Sequence, residues 1–273
     1  MNDPTTSLSA PAPSGVQAEK ARMPEVWTTL LWRVSSFALV FGIWEVAGRV
    51  AFSRALPPAS DVFLAIVEMT LSGEFTAAYA RSLPPLLIGL LVTMVGGVLI
   101  GVSVGLMRTA EWFFVPLLVI FQTAPVSAII PLLTYMYGIS DTSKVVAIII
   151  LGLPLVALNS YKGIQATSPS LIAMARSFMA SRFDTIRLVI LPSASEMIFA
   201  GLRLGVSGAF IGIVLAELLI TPTGIGDLIT YNRSIARYDK MFAAIVSILA
   251  IAAVTLGLLQ SMETRLFRKE KRT

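Results

Sequence analysis

Residues 83–107 read LPPLLIGLLVTMVGGVLIGVSVGLM, a run without a single charged side chain. A bilayer core about 30 Å thick requires roughly 20 apolar residues in a helix, so this run predicts a transmembrane helix. Its glycines are typical of helices that pack closely against one another in lipid. The stretch therefore indicates a membrane protein.

The composition of the whole chain agrees with a membrane protein. Of 273 residues, 56% are hydrophobic and 14% are charged, whereas soluble domains are about a quarter charged. The chain has no Cys and no His, which excludes disulfides, thiolate nucleophiles, Cys/His zinc sites and imidazole bases. We expect no metal site, and we interpret the net charge of +5 as a signal of membrane topology rather than of nucleic-acid binding.

The hydrophobic pattern predicts an all-α membrane protein with about six transmembrane helices. The predicted spans are 34–52, 83–107, 113–137, 145–160, 197–219 and 241–262. Residues 1–26 are rich in Pro, Ser, Thr and Ala, and are predicted to form a disordered N-terminal tail. Residues 27–264 would form the membrane domain, and residues 265–273 a short basic tail.

The distribution of Lys and Arg predicts the orientation of these spans. With the N-terminus inside, the inner side collects thirteen of the 21 basic residues and the outer side six, Lys144 among them, while Arg49 and Arg203 lie within spans. Positively charged loops favour the cytoplasm. Both termini are therefore predicted to be cytoplasmic.

Two outer segments are predicted to contain more than simple loops. After Pro57 and Pro58, a short helix is expected near 62–71, capped by Ser60 or Asp61 and lying at the membrane surface through its apolar side chains, Phe63, Ile66, Val67 and Leu71. Residues 221–240 contain the helix breakers Pro222, Gly224 and Gly226. Whether this second segment dips back into the membrane stays open.

Charged residues inside the spans require partners, because each costs about 2.5–3.5 kcal/mol on insertion scales. Glu45 and Arg49 are four residues apart and are predicted to form an ion pair. Arg203 is expected to extend towards the cytoplasmic interface. Glu217 has two possible roles: it lines a transport pathway, or it pairs with Arg233 or Arg237.

The third predicted span is interrupted and partly polar. Pro125 and Pro131 remove backbone donors and are expected to bend the helix. Its polar side chains are Gln122, Thr123, Ser127, Thr134, Tyr135 and Tyr137. A pathway lining and an ordinary kinked packing helix are equally consistent with this pattern.

Residues 161–193 form a predicted cytoplasmic loop that looks helical after Ser168 and Pro169. The predicted helix has an apolar edge formed by Leu171, Met174, Ala175 and Phe178. Two cationic residues, Arg176 and Arg182, lie close to it in the sequence. Such an edge favours docking to a soluble partner. The alternative is an amphipathic helix that rests on the membrane surface.

The run MARSFMASRFDTIRLVILPSASEMIFAGLRLGVSGAFIGIVLAELL, which begins at Met174, resembles the permease subunits of ABC importers of the nitrate/sulfonate/taurine type. That family carries a motif of form E-A-A-x(3)-G-x(9)-I-x-L-P. Leu191 and Pro192 match its end, with Val189 at the Ile position. Ala173 and Met179 stand where the family has Glu and Gly.

Three further stretches extend the resemblance over roughly residues 40–266. LPPASDVFLAIVEMTLSGEF from Leu56 resembles the family's outer segment, and TAPVSAIIPLLTYMYGISDTSKV from Thr123 its third span. AELLITPTGIGDLITYNRS from Ala216 resembles the segment after its fifth span. The order and spacing of the stretches together are specific to the family.

The resemblance implies a set of partners in a bacterial inner membrane. These are an ABC ATPase that holds ATP and Mg, a second permease (identical or a paralogue with an intact motif), an extracytoplasmic solute-binding protein and membrane lipid. The chain itself would be a transport subunit, not an enzyme, and would bind no cofactor. It contains no phosphate-binding loop of form G-x-x-x-x-G-K-[ST].

The resemblance also implies two groups of site residues. A cytoplasmic coupling helix near 172–181, between spans four and five, would contact the ATPase through Met174, Ala175, Arg176, Ser177, Phe178, Met179, Ala180 and Arg182. The candidates for the substrate pathway are Gln122, Thr123, Tyr135, Tyr137, Ser207 and Glu217. Nitrate, a sulfonate, taurine and an aromatic carboxylate all remain possible substrates, and the alternative function is a stand-alone secondary transporter or channel without an ATPase.

Overall fold

The computed structural model describes residues 25–50, 55–220 and 223–267, and every regular element in these ranges is a helix. The helices are α1 (Glu25–Arg49), α2 (Ala59–Leu71), α3 (Glu74–Leu106), α4 (Arg108–Thr123), α5 (Val126–Tyr137), α6 (Asp141–Gln165), α7 (Pro169–Ser177), α8 (Arg182–Thr185), α9 (Leu191–Leu219), α10 (Ile225–Ser234) and α11 (Tyr238–Phe267), with a π-helical turn over Ile186–Ile190. Most of the predicted N-terminal tail and of the basic C-terminal tail lies outside the described residues.

The described helices include four that are long and apolar enough to cross a membrane. These are α3, α6, the continuous helix Arg182–Leu219 and α11, and a fifth is reached if α4 and α5 are counted together as one bent span. The first predicted span, 34–52, corresponds to α1, which is not among the four. Multiple apolar helices are thus confirmed, whereas the number six is not.

A three-helix core of α3, α6 and α9 forms the centre of the bundle. Glycines on α3 and α9 allow the close approach, since a Cβ at Gly97 would collide with Val156 and one at Gly212 with the backbone of Ile148. Small residues at helix contacts are how membrane helices gain packing energy. The glycines noted in the sequence therefore face neighbouring helices.

Several spans are longer than the sequence pattern predicted. The helix α3 begins at Glu74 and continues through Pro84 and Pro85, so the second span does not start at Leu83. The helix α6 has 25 residues, which corrects the short fourth span. Neighbouring helices can satisfy the backbone groups that a proline leaves free, so a proline need not end a membrane helix.

The short outer helix is confirmed as α2, but its cap is different. No side-chain hydrogen bond caps α2, whose first flanking residue is Pro58. Ser60 instead donates its N–H and its hydroxyl to the Glu45 carboxylate, both over 2.9 Å. Glu45 also pairs with Arg49 over 2.6 Å, as predicted, so this carboxylate joins α1 to α2.

The two faces of α2 differ in exposure. Val62, Ala65 and Met69 are buried, and they belong to the core cluster that includes residues of α11. The predicted membrane-facing residues Phe63 and Leu71 are exposed by 66% and 83%. The helix therefore packs mainly through Val62, Ala65 and Met69, and Ile66 of the predicted apolar edge also packs against this cluster.

The predicted bend in span three is confirmed. The helices α4 and α5 meet at 103°, and the break lies at Ala124 and Pro125. Pro131 lies inside α5. Span three is therefore two helices rather than one kinked helix.

Candidate functional site

The end of α7 forms a compact turn at the predicted coupling segment. The Ala180 N–H donates to the Ala175 carbonyl over 3.1 Å, and the Met179 N–H donates to the Arg176 carbonyl over 2.9 Å. This pair of bonds is a Schellman motif, which satisfies carbonyls that the helix end leaves free. The predicted coupling helix 172–181 is therefore helical only to Ser177, and residues 178–181 form the turn.

Met179 has a backbone conformation that favours glycine, which is the residue that the family motif has at this position. Its φ is 54°, in the left-handed region, where glycine carries no steric penalty and other residues cost about 1–2 kcal/mol. Met179 stands at the motif's Gly position, so the turn keeps its geometry without the glycine. The departure from the motif is therefore conformationally tolerated.

The turn presents a strongly apolar tip. Phe178 and Met179 are exposed by 80% and 93%, and Met174 by 48%. Arg176, Ser177 and Arg182 are also exposed, and Ala180 is half-buried. Ala175 is buried, so it packs inwards and does not contribute to the predicted apolar edge.

The residues that end the motif enter a long helix through a π-helical turn. This turn covers Ile186–Ile190, and the Leu191 N–H donates to the Ile186 carbonyl, five residues back. Pro192 follows and has no N–H to continue the regular ladder, which accounts for the local widening. The predicted cytoplasmic loop 161–193 is consequently shorter, because α6 extends to Gln165 and the next membrane helix starts at Arg182.

The predicted pathway residues do not come together in one site within this chain. Gln122 and Thr123 end α4 and are exposed, and the Thr123 hydroxyl donates to the Val119 and Ile120 carbonyls. Tyr135 and Tyr137 on α5 are exposed by 89% and 45%. The Ser207 hydroxyl is bound within α9, where it donates to the Arg203 carbonyl over 3.2 Å.

Glu217 is buried in an ion pair with Lys144, so it is paired as one alternative predicted, but the partner is neither Arg233 nor Arg237. Lys144 Nζ lies 3.1 Å from Glu217 Oε1, and the side chains are exposed by 1% and 0%. Arg237 instead pairs with Asp239 and Glu68. The sequence places Lys144 among the outer loop cations, yet it lies in the first turn of α6 and its side chain is directed into the bundle.

The same carboxylate holds the start of α10 against the bundle. The Gly226 N–H donates to Glu217 Oε2 over 3.0 Å. The Ser82 hydroxyl donates to Glu217 Oε1 over 2.7 Å and accepts the Ile225 N–H over 2.9 Å. Lys144 Nζ also donates to the Thr223 hydroxyl over 3.1 Å. One buried cluster thus connects α3, α6, α9 and α10.

Gly224 is required where this cluster meets the segment before α10. Its φ is 84°, and a Cβ there would collide with the Glu217 carboxylate and the Ser82 hydroxyl. The backbone thus approaches the cluster as closely as only glycine permits. Pro222, the other predicted helix breaker, lies outside the described residues.

Arg203 has a specific partner rather than only an interfacial position. Its Nη1 donates to the Glu263 carboxylate on α11. Exposure is 36% for the Arg203 side chain and 17% for Glu263. Sequence reasoning missed this partner because the two residues lie on different helices, 60 positions apart in the chain.

The comparison with known proteins identifies the family. A sequence model of the family described as binding-protein-dependent transport system inner membrane component matches residues 94–268, more than half of the chain. The chain is 29% identical over 85% of its length to a Bacillus subtilis protein named "Putative aliphatic sulfonates transport permease protein SsuC", covering 84% of that protein. It is 27% identical over 85% of its length to the taurine transport system permease protein TauC of Escherichia coli, covering 87% of that protein.

A solved structure supports the fold independently. The crystal structure of an amino acid ABC transporter with histidines matches at a TM-score of 0.55 and 18% identity, covering 74% of this chain and 97% of that chain. At this identity the likeness concerns the fold alone. The chain therefore belongs to the binding-protein-dependent transport system inner membrane component family, as a multi-pass inner-membrane ABC transporter permease of the nitrate/sulfonate/taurine type.

Proposed function

We propose that this chain is the membrane-spanning subunit of an ATP-driven importer, and that a separate ATPase drives it through the α7 turn. The observation that carries the proposal is the exposed apolar tip of Phe178 and Met179 on a well-capped turn. An apolar tip of this kind needs a protein groove to bury it. ATP and Mg would bind to the partner chain.

The turn is suited to transmit force because it is held rigidly at both ends. The Schellman bonds close the end of α7, and the Ser181 hydroxyl accepts the Asp184 N–H over 3.1 Å at the start of α8. The continuous helix that follows enters the centre of the bundle. A displacement of the tip would therefore move α9 as a body, in the manner of packed helices that shift between two states.

The substrate pathway is proposed to form between two permease subunits. The polar residues on α4 and α5, above all Gln122, Tyr135 and Tyr137, lie on the exposed surface rather than around a cavity. A second subunit that covers this surface would enclose them. That subunit is either another copy of this chain or a paralogue with an intact motif, and an extracytoplasmic binding protein would deliver the solute.

The proposed substrate is a small molecule with an anionic group, a sulfonate or taurine in the first instance. The support is that the relatives from Bacillus subtilis and Escherichia coli are named for sulfonate and taurine transport. A relative from Halalkalibacterium halodurans, 27% identical, is a formylaminopyrimidine transport permease protein. Uptake assays should therefore include a pyrimidine beside nitrate, taurine and an aromatic carboxylate.

Affinity purification of the tagged full-length chain from its native membrane tests the proposal. We expect an ATPase with a phosphate-binding loop to copurify, and to be lost when Arg176, Phe178 and Met179 are changed together to Asp. The matched control changes Arg233, Tyr231 and Ile235 together to Asp. These residues are likewise one cation and two apolar side chains, and they are exposed at the end of α10. The control should retain the ATPase.

The composition of the purified complex decides between the alternatives. A single permease species at two copies would establish a homodimer, and a second permease would establish a heterodimer. A chain that is recovered without any ATPase would contradict the importer and favour a secondary transporter or channel.

A further inference from the structure

A groove runs along the end of the bundle that carries α7. It consists of two adjoining cavities of about 650 and 610 Å³ that share Gly105, Leu106 and Gln165. The end of α3, the start of α4 and the start of α7 surround it. The pathway proposed above does not use this groove, and Arg176 is the one residue that the groove shares with those predicted to contact the ATPase.

Each of the two cavities contributes an arginine. Arg108 lines the first and Arg176 the second, and neither arginine forms an ion pair with a carboxylate in the described ranges. Glu111 also lines the first cavity, and its carboxylate accepts bonds from Tyr161 over 2.7 Å and from Gln165 over 3.5 Å. The groove therefore combines two uncompensated cations with one carboxylate that is already hydrogen-bonded.

Further polar groups lie beside the arginines. The helix α4 begins at the groove without a side-chain cap, so its first N–H groups remain available to an anion. Thr167 lines the second cavity and is 5% exposed, and its hydroxyl has no partner in the described part of the chain. These groups suit a phosphate better than a cation.

The other side of the groove is apolar and carries exposed aromatic side chains. Trp112, Val115 and Pro116 on α4 line the first cavity. Trp112 is exposed by 76% and the adjacent Phe113 by 68%, which is the composition of a membrane interface. An occupant must therefore have an anionic head next to an apolar chain.

The geometry points to a binding site for an anionic phospholipid of the inner membrane. Its phosphate would accept hydrogen bonds from Arg108, Arg176 and the first N–H groups of α4, and an acyl chain would lie along Trp112 and Pro116. Basic pockets between membrane helices recognise such headgroups. Because Arg176 belongs to α7, the lipid would contact the helix that carries the apolar tip.

Native mass spectrometry of the purified full-length chain tests this site, with phosphatidylglycerol and phosphatidylcholine as the probes. We expect phosphatidylglycerol to be retained preferentially, and the variant R108Q/R176Q to bind it about 25-fold more weakly, at roughly fivefold for each arginine. The variant R108K/R176K keeps both charges and should retain most of the preference, which separates lost charge from misfolding. The control R182Q removes an exposed cation outside the groove and should bind as the unchanged chain does.

Three results would overturn the inference. The first is equal retention of the two lipids by the unchanged chain. The second is a loss in R182Q as large as that in R108Q/R176Q. The third is binding of inorganic phosphate at Arg108 and Arg176 without retained phosphatidylglycerol, which would assign the groove to free phosphate instead of lipid.

Discussion

Lys144 and Glu217 form a buried ion pair that joins the start of α6 to the end of α9. Their side chains are exposed by 1% and 0%, and Nζ lies 3.1 Å from Oε1. The carboxylate also accepts the Gly226 N–H and the Ser82 hydroxyl. Since each of its oxygens is engaged, the pair is a structural junction rather than part of an open pathway.

Breaking this pair from one side should destabilise the protein strongly. The variant E217Q leaves the buried Lys144 with only the exposed Asp141 carboxylate, 3.8 Å away, as a counter-charge, so the cost should approach the roughly 3–5 kcal/mol of a broken buried pair. The double variant K144M/E217Q removes both charges and keeps an acceptor for the Gly226 N–H. Its loss of stability should therefore be smaller than the sum of the losses in K144M and E217Q. Thermal unfolding of the protein in detergent measures each loss.

Arg237 provides the control for the buried pair. It lies at the surface beside Asp239, so R237Q should cost no more than about 1 kcal/mol. A result in which E217Q is as stable as R237Q would show that the buried junction contributes nothing.

Gly224 should not tolerate alanine, for two separable reasons. The variant G224A places a side chain at a φ of 84° and directly against Glu217 and Ser82. Gly73 has a similar φ of 81°, but a Cβ added there would meet no heavy atom within 4 Å. We expect G73A to cost about 1–2 kcal/mol from conformation alone, and G224A to cost more; equal unfolding midpoints would contradict the close packing at Gly224.

The stability of the turn after α7 should depend on how easily the residue at position 179 adopts a left-handed backbone conformation. The variant M179G relieves the left-handed backbone, whereas M179V places a β-branched side chain there and should weaken the turn by about 1–2 kcal/mol relative to glycine. Hydrogen exchange of the amides at positions 179 and 180 measures the effect, because both donate within the turn. Equal exchange in M179G and M179V would show that the turn does not depend on this backbone conformation.

Alanine substitutions should destabilise the protein at glycines in the helical core but not at glycines on the periphery. A Cβ at Gly212 would meet the backbone of Ile148, whereas a Cβ at Gly257 would have no heavy atom within 4 Å. We expect G257A to be neutral or stabilising, because alanine favours a helix by about 1 kcal/mol. G212A should lower the unfolding midpoint; if both variants behave alike, the packing of α6 against α9 is looser than the structure indicates.

The features that could be predicted from the sequence depend on local spacing. Glu45 and Arg49 are four residues apart, so one helix brings them together, and the bend at Pro125 follows from a missing backbone donor. The left-handed turn at Met179 also lies where a motif of fixed spacing has Gly. In these cases the interacting groups belong to a single element.

The features that could not be predicted depend on how distant helices meet. Lys144 and Glu217 are 73 positions apart, and Arg203 and Glu263 are 60 positions apart. Which helix ends lie side by side is decided by packing, so charge and hydropathy alone assign Lys144 to a loop and Glu217 to the wrong partners. The burial of Ala175 is missed for the same reason, because α7 packs against the π-helical turn.

A crosslink from Phe178 tests the central claim most directly. The chain contains no cysteine, so Phe178→Cys creates a unique thiol at the tip of the α7 turn, and Tyr231→Cys creates a matched one on α10. After labelling with a thiol-reactive photocrosslinker in native membranes, we predict an adduct between position 178 and an ATPase, and none from position 231. An adduct with the ATPase from position 231, or none from position 178 in a complex that retains the ATPase, would contradict coupling through this turn.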